Sequence, residues 1–201
     1  MGNEDVLRYL ANKGANLDLV NDRYKCTALQ CAAKEGKKHM VYLLLELGAN
    51  INGPPGNKGF VIHYALKSRD EFLVKHLLQE GAVIDDSKHS TINNAISARL
   101  PGLIPLLLEN GADINGTADD ISPPAWAFYK WNNQKEAFRL LMDRGASLRD
   151  SDVDVLIRAI EAGSLEDVKE LLDHGMNPNC CDEYQTPLKV RRYFLLIGLK
   201  T

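Results

Sequence analysis

The segment Val41-Tyr42-Leu43-Leu44-Leu45-Glu46-Leu47-Gly48-Ala49-Asn50 decides the fold. Its apolar residues recur at positions i, i+3 and i+4, which is the spacing of one face of an amphipathic helix. The glycine that follows can adopt a positive φ angle and close the C-terminus of that helix. The segment therefore predicts a helix that ends in a tight turn at Gly48.

The same helix ending recurs along the chain. Six turns of the Gly-Ala-Asn type occur, and successive turn glycines are 34, 33, 30, 34 and 30 residues apart. An interval near 33 residues indicates a repeat array in which each unit has the same local structure. The turn glycines are Gly14, Gly48, Gly81, Gly111, Gly145 and Gly175.

A second, shorter helix is predicted upstream of these stretches. The first example is Thr27-Ala28-Leu29-Gln30-Cys31-Ala32, whose threonine can cap the helix N-terminus. Its small final alanine suits close packing between neighbouring short helices. The clearest Thr-Pro-Leu sequence is Thr186-Pro187-Leu188-Lys189, in which proline suits the first helical turn. Equivalent stretches in phase with the turns occupy residues 60–65, 90–95, 122–127 and 154–159.

These two motifs, in phase over almost the whole chain, resemble the ankyrin-repeat family. The resemblance implies an all-α solenoid of helix-turn-helix units with β-hairpin-like fingers, comprising about five full repeats plus partial repeats at both ends. We expect a single domain over residues 1–201. Its repeats are placed at about 21–54, 55–84, 85–117, 118–148 and 149–180, with partial repeats at 1–20 and 181–201.

Several repeats are irregular. The two 30-residue intervals predict shortened hairpin fingers near residues 85–89 and 149–153, and an extra residue falls near 130–133. Pro101 and Pro105 stand at the start of a second helix, and Pro105 is expected to shift that start.

Composition and motifs exclude several functions. The chain has 201 residues, of which 45% are hydrophobic and 25% charged, and a net charge of −3. These values are typical of a globular protein without the basic field that nucleic acid or an anionic membrane requires. No catalytic set, metal-ligand spacing or cofactor motif is recognisable. We therefore expect no enzyme activity and no cofactor.

The four cysteines lack a disulfide-like framework. We expect Cys26 and Cys31 to be a partly exposed thiol and a small packed residue, and the adjacent Cys180 and Cys181 would pair only with strain. Four reduced thiols fit a reducing compartment. The expected location is the cytoplasm, either of the producing cell or of a host cell.

Three features have both a structural and a functional interpretation. The loop Gly53-Pro54-Pro55-Gly56-Asn57-Lys58-Gly59 superficially resembles a phosphate loop, but its prolines remove amide donors, so a rigid finger tip is favoured. His63 occupies the histidine position of the family motif, which implies a role in bracing the fingers. Asn115 starts a glycosylation sequon and is also a turn residue, and the turn role is favoured.

The resemblance implies a non-catalytic protein–protein interaction module that binds through a concave surface and fingers, as a monomer in isolation. Lysines of the middle repeats favour a partner with an acidic segment. Asp150, Asp152, Asp154 and Glu161 make the later repeats acidic. The predicted partner-binding residues are Arg23, Tyr24, Lys34, Glu35, Asn57, Lys58, Lys67, Lys88, His89, Tyr129, Lys130 and Trp131.

The aromatic group near Trp131 leaves alternatives open. Tyr129 and Trp131 fit contact and packing equally well, whereas Trp126 fits packing better. Aromatic rings beside lysines could also grip a base and a phosphate, so a sensor of a small nucleotide-like ligand is an alternative function. A spacer within a larger multidomain protein is a further alternative.

Overall fold

The computed structural model describes residues 3–57, 59–87, 89–117, 121–129 and 134–180. Eleven α-helices lie within these residues. They are α1 (Asn3–Asn12), α2 (Ala28–Lys34), α3 (Lys38–Glu46), α4 (Val61–Ser68), α5 (Glu71–Gln79), α6 (Thr91–Ala98), α7 (Ile104–Glu109), α8 (Pro123–Tyr129), α9 (Lys135–Asp143), α10 (Val153–Glu161) and α11 (Leu165–Asp173). None of the described helices is long and apolar enough to span a bilayer.

The chain divides into two compact units, Met1–Asp113 and the part from Ile114 onward. In the first unit, α2 packs against α3 and α4 packs against α5, and the short helices α2, α4 and α6 pack successively against one another. In the second unit, α8 packs against α9 and also against α10, and α10 packs against α11. We call α2, α4, α6, α8 and α10 the first helices, and α3, α5, α7, α9 and α11 the second helices.

The first helices α2 and α6 begin where the capping pattern predicts, whereas α4 and α10 have no side-chain cap. Thr27 Oγ1 accepts a hydrogen bond from the Gln30 backbone at 3.2 Å, and Gln30 Oε1 accepts one from the Thr27 backbone at 3.0 Å. Ser90 caps α6 in a similar way by accepting from the Asn93 backbone. Each such cap contributes about 1 kcal/mol to helix stability.

The core of each unit is built from small residues on the first helices and leucines on the second helices. The alanines that end the first-helix motif are at most 6% exposed. Because alanine has no side chain beyond Cβ, successive first helices can approach closely. These alanines are Ala32, Ala65, Ala95, Ala127 and Ala159.

The second helices end at the predicted glycine turns. All six turn glycines have φ angles between 81° and 92°. That conformation is unfavourable for a residue with a Cβ atom, so glycine closes each helix with little strain. The predicted all-α architecture of helix pairs is confirmed.

The irregular repeats differ from one another. A 3₁₀ turn at Pro101–Leu103 precedes α7, which confirms that the prolines shift the start of this second helix. Isolated β-bridges form two fingers, between Asn21 and Cys26 and between Gly56 and Gly59. The finger predicted near 149–153 contains a 3₁₀ helix, Asp150–Asp152, because the shortened connection leads directly into α10. The insertion predicted near 130–133 lies outside the described residues.

Candidate partner-binding surface

The first finger projects two of the predicted contact residues. Asn21 Oδ1 accepts hydrogen bonds from the backbone N–H groups of Arg23 at 2.9 Å and Tyr24 at 3.0 Å, which closes the turn at the finger tip. Tyr24 is 61% exposed, and the Arg23 guanidinium lies 5.4 Å from the centre of its ring. The finger therefore presents a cationic and an aromatic group together on a braced turn.

The second finger packs against the first. The Asn57 backbone N–H donates to the Lys25 carbonyl oxygen at 3.0 Å, and the Tyr64 hydroxyl donates to Asn57 Oδ1 at 2.9 Å. A Cβ atom on Gly56 would come within 2.6 Å of the Lys25 carbonyl oxygen, so this closely packed position requires glycine. Asn57 thus has a bracing role, and its role in partner contact stays a prediction.

A buried histidine braces the next finger. His63 is 1% exposed, and its Nε2 lies 3.1 Å from Thr91 Oγ1 and 3.3 Å from the His89 carbonyl oxygen. The Thr91 hydroxyl donates to Asp86 Oδ1 at 2.5 Å, so the imidazole donates from Nε2 to Thr91. Burial lowers the pKa of His63, with the nearby Asp86 carboxylate opposing that effect. The bracing role predicted for His63 is confirmed.

One position on the first helices varies among the repeats, where four residue types occur in five helices. It lies two residues after the buried alanine and is exposed or half-buried in all five helices. The fold therefore tolerates different side chains there while the neighbouring alanine stays constant. The five residues are Lys34, Lys67, Ser97, Tyr129 and Glu161.

The other predicted contact residues are placed as follows. Lys34 and Lys67 are exposed on α2 and α4, and His89 is half-buried. Glu35 is exposed and pairs with Lys37 at 2.5 Å, and a hydrogen bond from Lys37 lowers the pKa of this carboxyl. The remaining predicted residues lie outside the described part of the chain, namely Lys58, Lys88, Lys130 and Trp131.

Two aromatic rings and an arginine meet in the second unit. The rings of Trp126 and Tyr129 are nearly parallel, with centroids 6.0 Å apart, and both residues are half-buried. The exposed Arg158 guanidinium lies 4.2 Å from the centre of the Tyr129 ring. Tyr129 thus combines packing with a surface position. Arg158 was missed from sequence, although it occupies on α10 the position that Trp126 occupies on α8.

The acidic surface predicted for the later repeats is partly wrong. Asp152 is 2% exposed because its carboxylate accepts hydrogen bonds from Ser122 Oγ at 2.6 Å and from the Arg149 backbone at 2.8 Å. Asp150, Asp154 and Glu161 are exposed, as expected. Burial inside a hydrogen-bond network therefore removes Asp152 from the charged surface.

Two further side chains brace this part of the second unit. The Arg149 guanidinium donates to the backbone carbonyls of Asn115 and Thr117. Asn115 Oδ1 accepts from the Ser147 backbone at 2.9 Å. The turn role favoured for Asn115 is confirmed.

The prediction for Cys26 and Cys31 is wrong. The structure joins them in a disulfide, Cys26 is buried and Cys31 is half-buried. The left-handed backbone at Lys25 and the start of α2 at Ala28 bring their Cα atoms to 6.1 Å. That separation lies in the range that disulfides require. The absence of a C-x-x-C pattern was therefore insufficient to exclude pairing.

Three non-glycine residues in the described part of the chain have positive φ angles. They are Lys25 at 52°, Arg69 at 60° and Arg99 at 63°. Arg69 and Arg99 follow α4 and α6 directly, and both are exposed. Sequence reasoning missed both arginines, although alignment of the repeats would have placed them opposite Gly36.

Neither unit shows a metal centre within the residues that the structure describes. No group of three or more His, Cys, Asp or Glu side chains there could hold a metal ion. The chemistry that these residues offer is hydrogen bonding, charge pairing and aromatic contact.

Known proteins resemble this chain in sequence. Residues 1–45 match the family model described as ankyrin repeats (many copies). The chain is 28% identical over 195 residues to Ankyrin repeat protein nuc-2 of Neurospora crassa, covering 92% of this chain and 18% of that protein. It is 32% identical over 184 residues to a Bos taurus protein named Dynein axonemal heavy chain 12, covering 86% of this chain and 51% of that protein. The chain thus spans about a fifth to about a half of the length of these relatives.

A solved structure matches the architecture. The human ASB11 ankyrin repeat domain superposes with a TM-score of 0.68 at 23% sequence identity, over 96% of this chain and 92% of that chain. At this identity the likeness concerns the fold alone.

Proposed function

This chain belongs to the ankyrin-repeat proteins, and on that premise we propose that it is a non-catalytic module that binds a protein partner through its first helices and fingers. Ankyrin-repeat domains are generally protein–protein interaction modules. Fold alone does not establish function, so the proposal needs support from the surface itself.

The observation that carries the proposal is the contrast between constant and variable positions on the first helices. Ala32, Ala65 and Ala159 keep one buried position constant. Two residues further on, Lys34, Ser97 and Glu161 stand at one exposed or half-buried position and differ in charge and size. The fold does not require that variation. The variation therefore supports the proposal that this position contributes to recognising a partner.

The first helices and the fingers are also suited to binding because they are braced. Hydrogen bonds restrict finger motion before any partner binds. They join Asn57 to Lys25 and His63 to the His89 carbonyl. A surface that is already ordered loses less conformational entropy on binding. Arg23 and Tyr24 at the first finger tip belong to residue types that are enriched at the centres of interfaces.

For the first unit we propose a partner with an acidic segment. Lys34 and Lys67 are exposed on successive first helices, and the exposed Lys25 lies on the first finger, between Asn21 and Cys26. Lys58 and Lys88 occupy the sequence positions equivalent to Lys25 in the next two repeats. Complementary charge accelerates association and suppresses the wrong partners.

Affinity purification from cells that express the protein tests this proposal. The test variant combines Lys58→Glu, Lys67→Glu and Lys88→Glu. We expect it to lose the proteins that the unmodified chain retains, with at least a tenfold weaker recovery, because three attractive contacts become repulsive.

A matched variant controls for the change in net charge. Lys13→Glu, Arg144→Glu and Lys169→Glu change the charge by the same amount at exposed positions outside the first helices and fingers. This control should retain the partner. Equal recovery with both variants would refute binding through the basic positions, and loss with both would show a bulk charge effect.

A further inference from the structure

A left-handed backbone conformation coincides with basic side chains in the first unit. All three non-glycine residues with positive φ in the described part of the chain are basic, namely Lys25, Arg69 and Arg99. Asparagine and aspartate are the non-glycine residues that tolerate this conformation best. Lysine and arginine are not favoured by this backbone conformation itself, so the conformation does not account for basic residues at all three positions.

Other repeats show which residue the backbone itself prefers. Gly36 after α2 has a φ of 67° and Gly163 after α10 has a φ of 66°, whereas Arg69 and Arg99 hold the equivalent positions after α4 and α6. Gly36 and Gly163 stand four residues after the buried alanines Ala32 and Ala159, as do Arg69 after Ala65 and Arg99 after Ala95. The position thus accepts glycine in both units, and arginine there costs backbone strain.

Interactions of the positive charge contribute to offsetting this strain. A cation near the C-terminus of a helix interacts favourably with the helix dipole, but that gain is usually smaller than the cost of a left-handed conformation in a residue with a Cβ atom. A functional gain is also consistent with the strain, because strained residues persist where a binding surface needs a particular side chain. Arg69 and Arg99 are both exposed, and each immediately follows a first helix.

We propose that Arg69 and Arg99 form a recognition pair for an acidic peptide segment of the protein partner. This inference rests on the proposed function and assigns two residues outside the predicted contact set. Each guanidinium can bind a carboxylate with two parallel hydrogen bonds, which a lysine ammonium cannot match. Lys67 lies two residues before Arg69 and is also exposed.

The chemistry favours carboxylates on a peptide over a nucleic acid. The whole chain carries a net charge of −3, which repels a long polyanion. A short peptide with a few acidic residues needs only the local positive charge around these arginines.

The test measures binding and stability in the same variants of the full chain. The test variant is Arg69→Gly/Arg99→Gly, and the probe is a fluorescein-labelled twelve-residue peptide of alternating Glu and Ser, followed by fluorescence anisotropy at low and at 0.3 M salt. We expect at least a tenfold loss of peptide affinity together with a rise in Tm of about 2–4 °C for each replaced arginine. Binding by the unmodified chain should weaken as salt increases.

Two control variants separate charge from conformation. Arg69→Lys/Arg99→Lys keeps the charge and the strained conformation, so it should keep the Tm and weaken binding only a few-fold. Arg144→Ser/Lys169→Ser removes two exposed positive charges elsewhere and should leave peptide affinity unchanged.

Four results would overturn the proposal. The first is the absence of peptide binding by the unmodified chain, and the second is unchanged affinity in the glycine variant. The third is a lower Tm in the glycine variant, which would assign the arginines to helix capping. The fourth is equal or tighter binding of a twelve-residue oligothymidylate, which would show a general polyanion surface. If the captured partner binds the glycine variant normally, this inference fails and the proposed function stands. If no partner binds the unmodified chain, the proposed function itself fails.

Discussion

The two units brace their fingers with different buried groups. In the first unit a neutral imidazole, His63, donates to Thr91 and to a backbone carbonyl. In the second unit a carboxylate, Asp152, accepts from Ser122 and from the Arg149 backbone. The same architecture thus accepts a donor or an acceptor as its bracing group, provided that the surrounding groups complement it. The two units should therefore respond differently to mutation and to pH.

The largest effect is expected from Asp152→Ala. The carboxylate accepts from the Ser122 hydroxyl at 2.6 Å, the Ser122 backbone at 3.1 Å and the Arg149 backbone at 2.8 Å. Removing it leaves buried donors without an acceptor, which costs about 3 kcal/mol in total. Hydrogen exchange should show faster opening in the second unit while the first unit keeps its protection.

The neighbouring exposed residue is the control for that comparison. Asp150→Ala also removes one negative charge from this 3₁₀ helix, but from an exposed position. It should shift the unfolding free energy by less than about 0.5 kcal/mol. Equal effects of the two substitutions would contradict a bracing role for Asp152.

An intermediate effect is expected from acidification, through His63. Burial lowers the pKa of His63, so the folded protein binds fewer protons than the unfolded chain below the ordinary histidine pKa of about 6.5. The stability that depends on neutral His63 is complete above that pH and is lost as the pH falls below it. Chemical denaturation of the unmodified chain should show this loss between about pH 7 and pH 5.

The variant His63→Gln isolates the histidine contribution. Glutamine can donate a hydrogen bond but does not titrate, so we expect about 1–2 kcal/mol lower stability at pH 7 and a flatter profile between pH 7 and pH 5. Parallel pH profiles for the two proteins would contradict the prediction. Carboxyls with lowered pKa values, such as Asp70, affect stability only at more acidic pH, near and below the ordinary aspartate pKa of about 3.9.

The smallest effect is expected from ion pairs on the second helices. Lys135 lies 2.7 Å from Asp167 and 3.5 Å from Glu170 in the second unit, whereas Lys38 lies 2.8 Å from Asp70 in the first. All of these lysines are partly exposed, so each pair contributes little. Lys135→Met and Lys38→Met should each lower stability by about 0.5 kcal/mol, as measured by thermal unfolding. A loss above about 2 kcal/mol would contradict this ranking.

The repeated helix pairs could be predicted from sequence because the signals for their ends are local and periodic. The Gly-Ala turns and the capping residues act within a few positions, so Thr27 and Gly48 identified their helix ends directly. The buried state of Asp152 could not be predicted, because its partner Ser122 lies thirty residues earlier and only the fold brings them together. The pairing of Cys26 with Cys31 was missed because it depends on the left-handed backbone at Lys25.

The residues of the candidate surface were predicted less completely than the repeated helix pairs. Lys34, Lys67 and Tyr129 were predicted as contact residues from the family resemblance, and the structure exposes the two lysines and leaves Tyr129 half-buried. Arg158 was missed because its contact with Tyr129 joins two repeats. Arg69 and Arg99 were missed because a sequence does not display the sign of a φ angle, although Gly36 and Gly163 mark the same position elsewhere.

Site-specific photo-crosslinking tests the central claim most directly. A benzophenone amino acid would replace Lys34, Lys67 or Glu161 on the first helices and, in matched chains, Lys75 or Lys169 on the second helices. Binding through the first helices predicts that the partner is crosslinked strongly from at least one first-helix position and weakly from the second-helix positions. Crosslinks of equal strength from both sets, or stronger crosslinks from Lys75 and Lys169, would contradict the account.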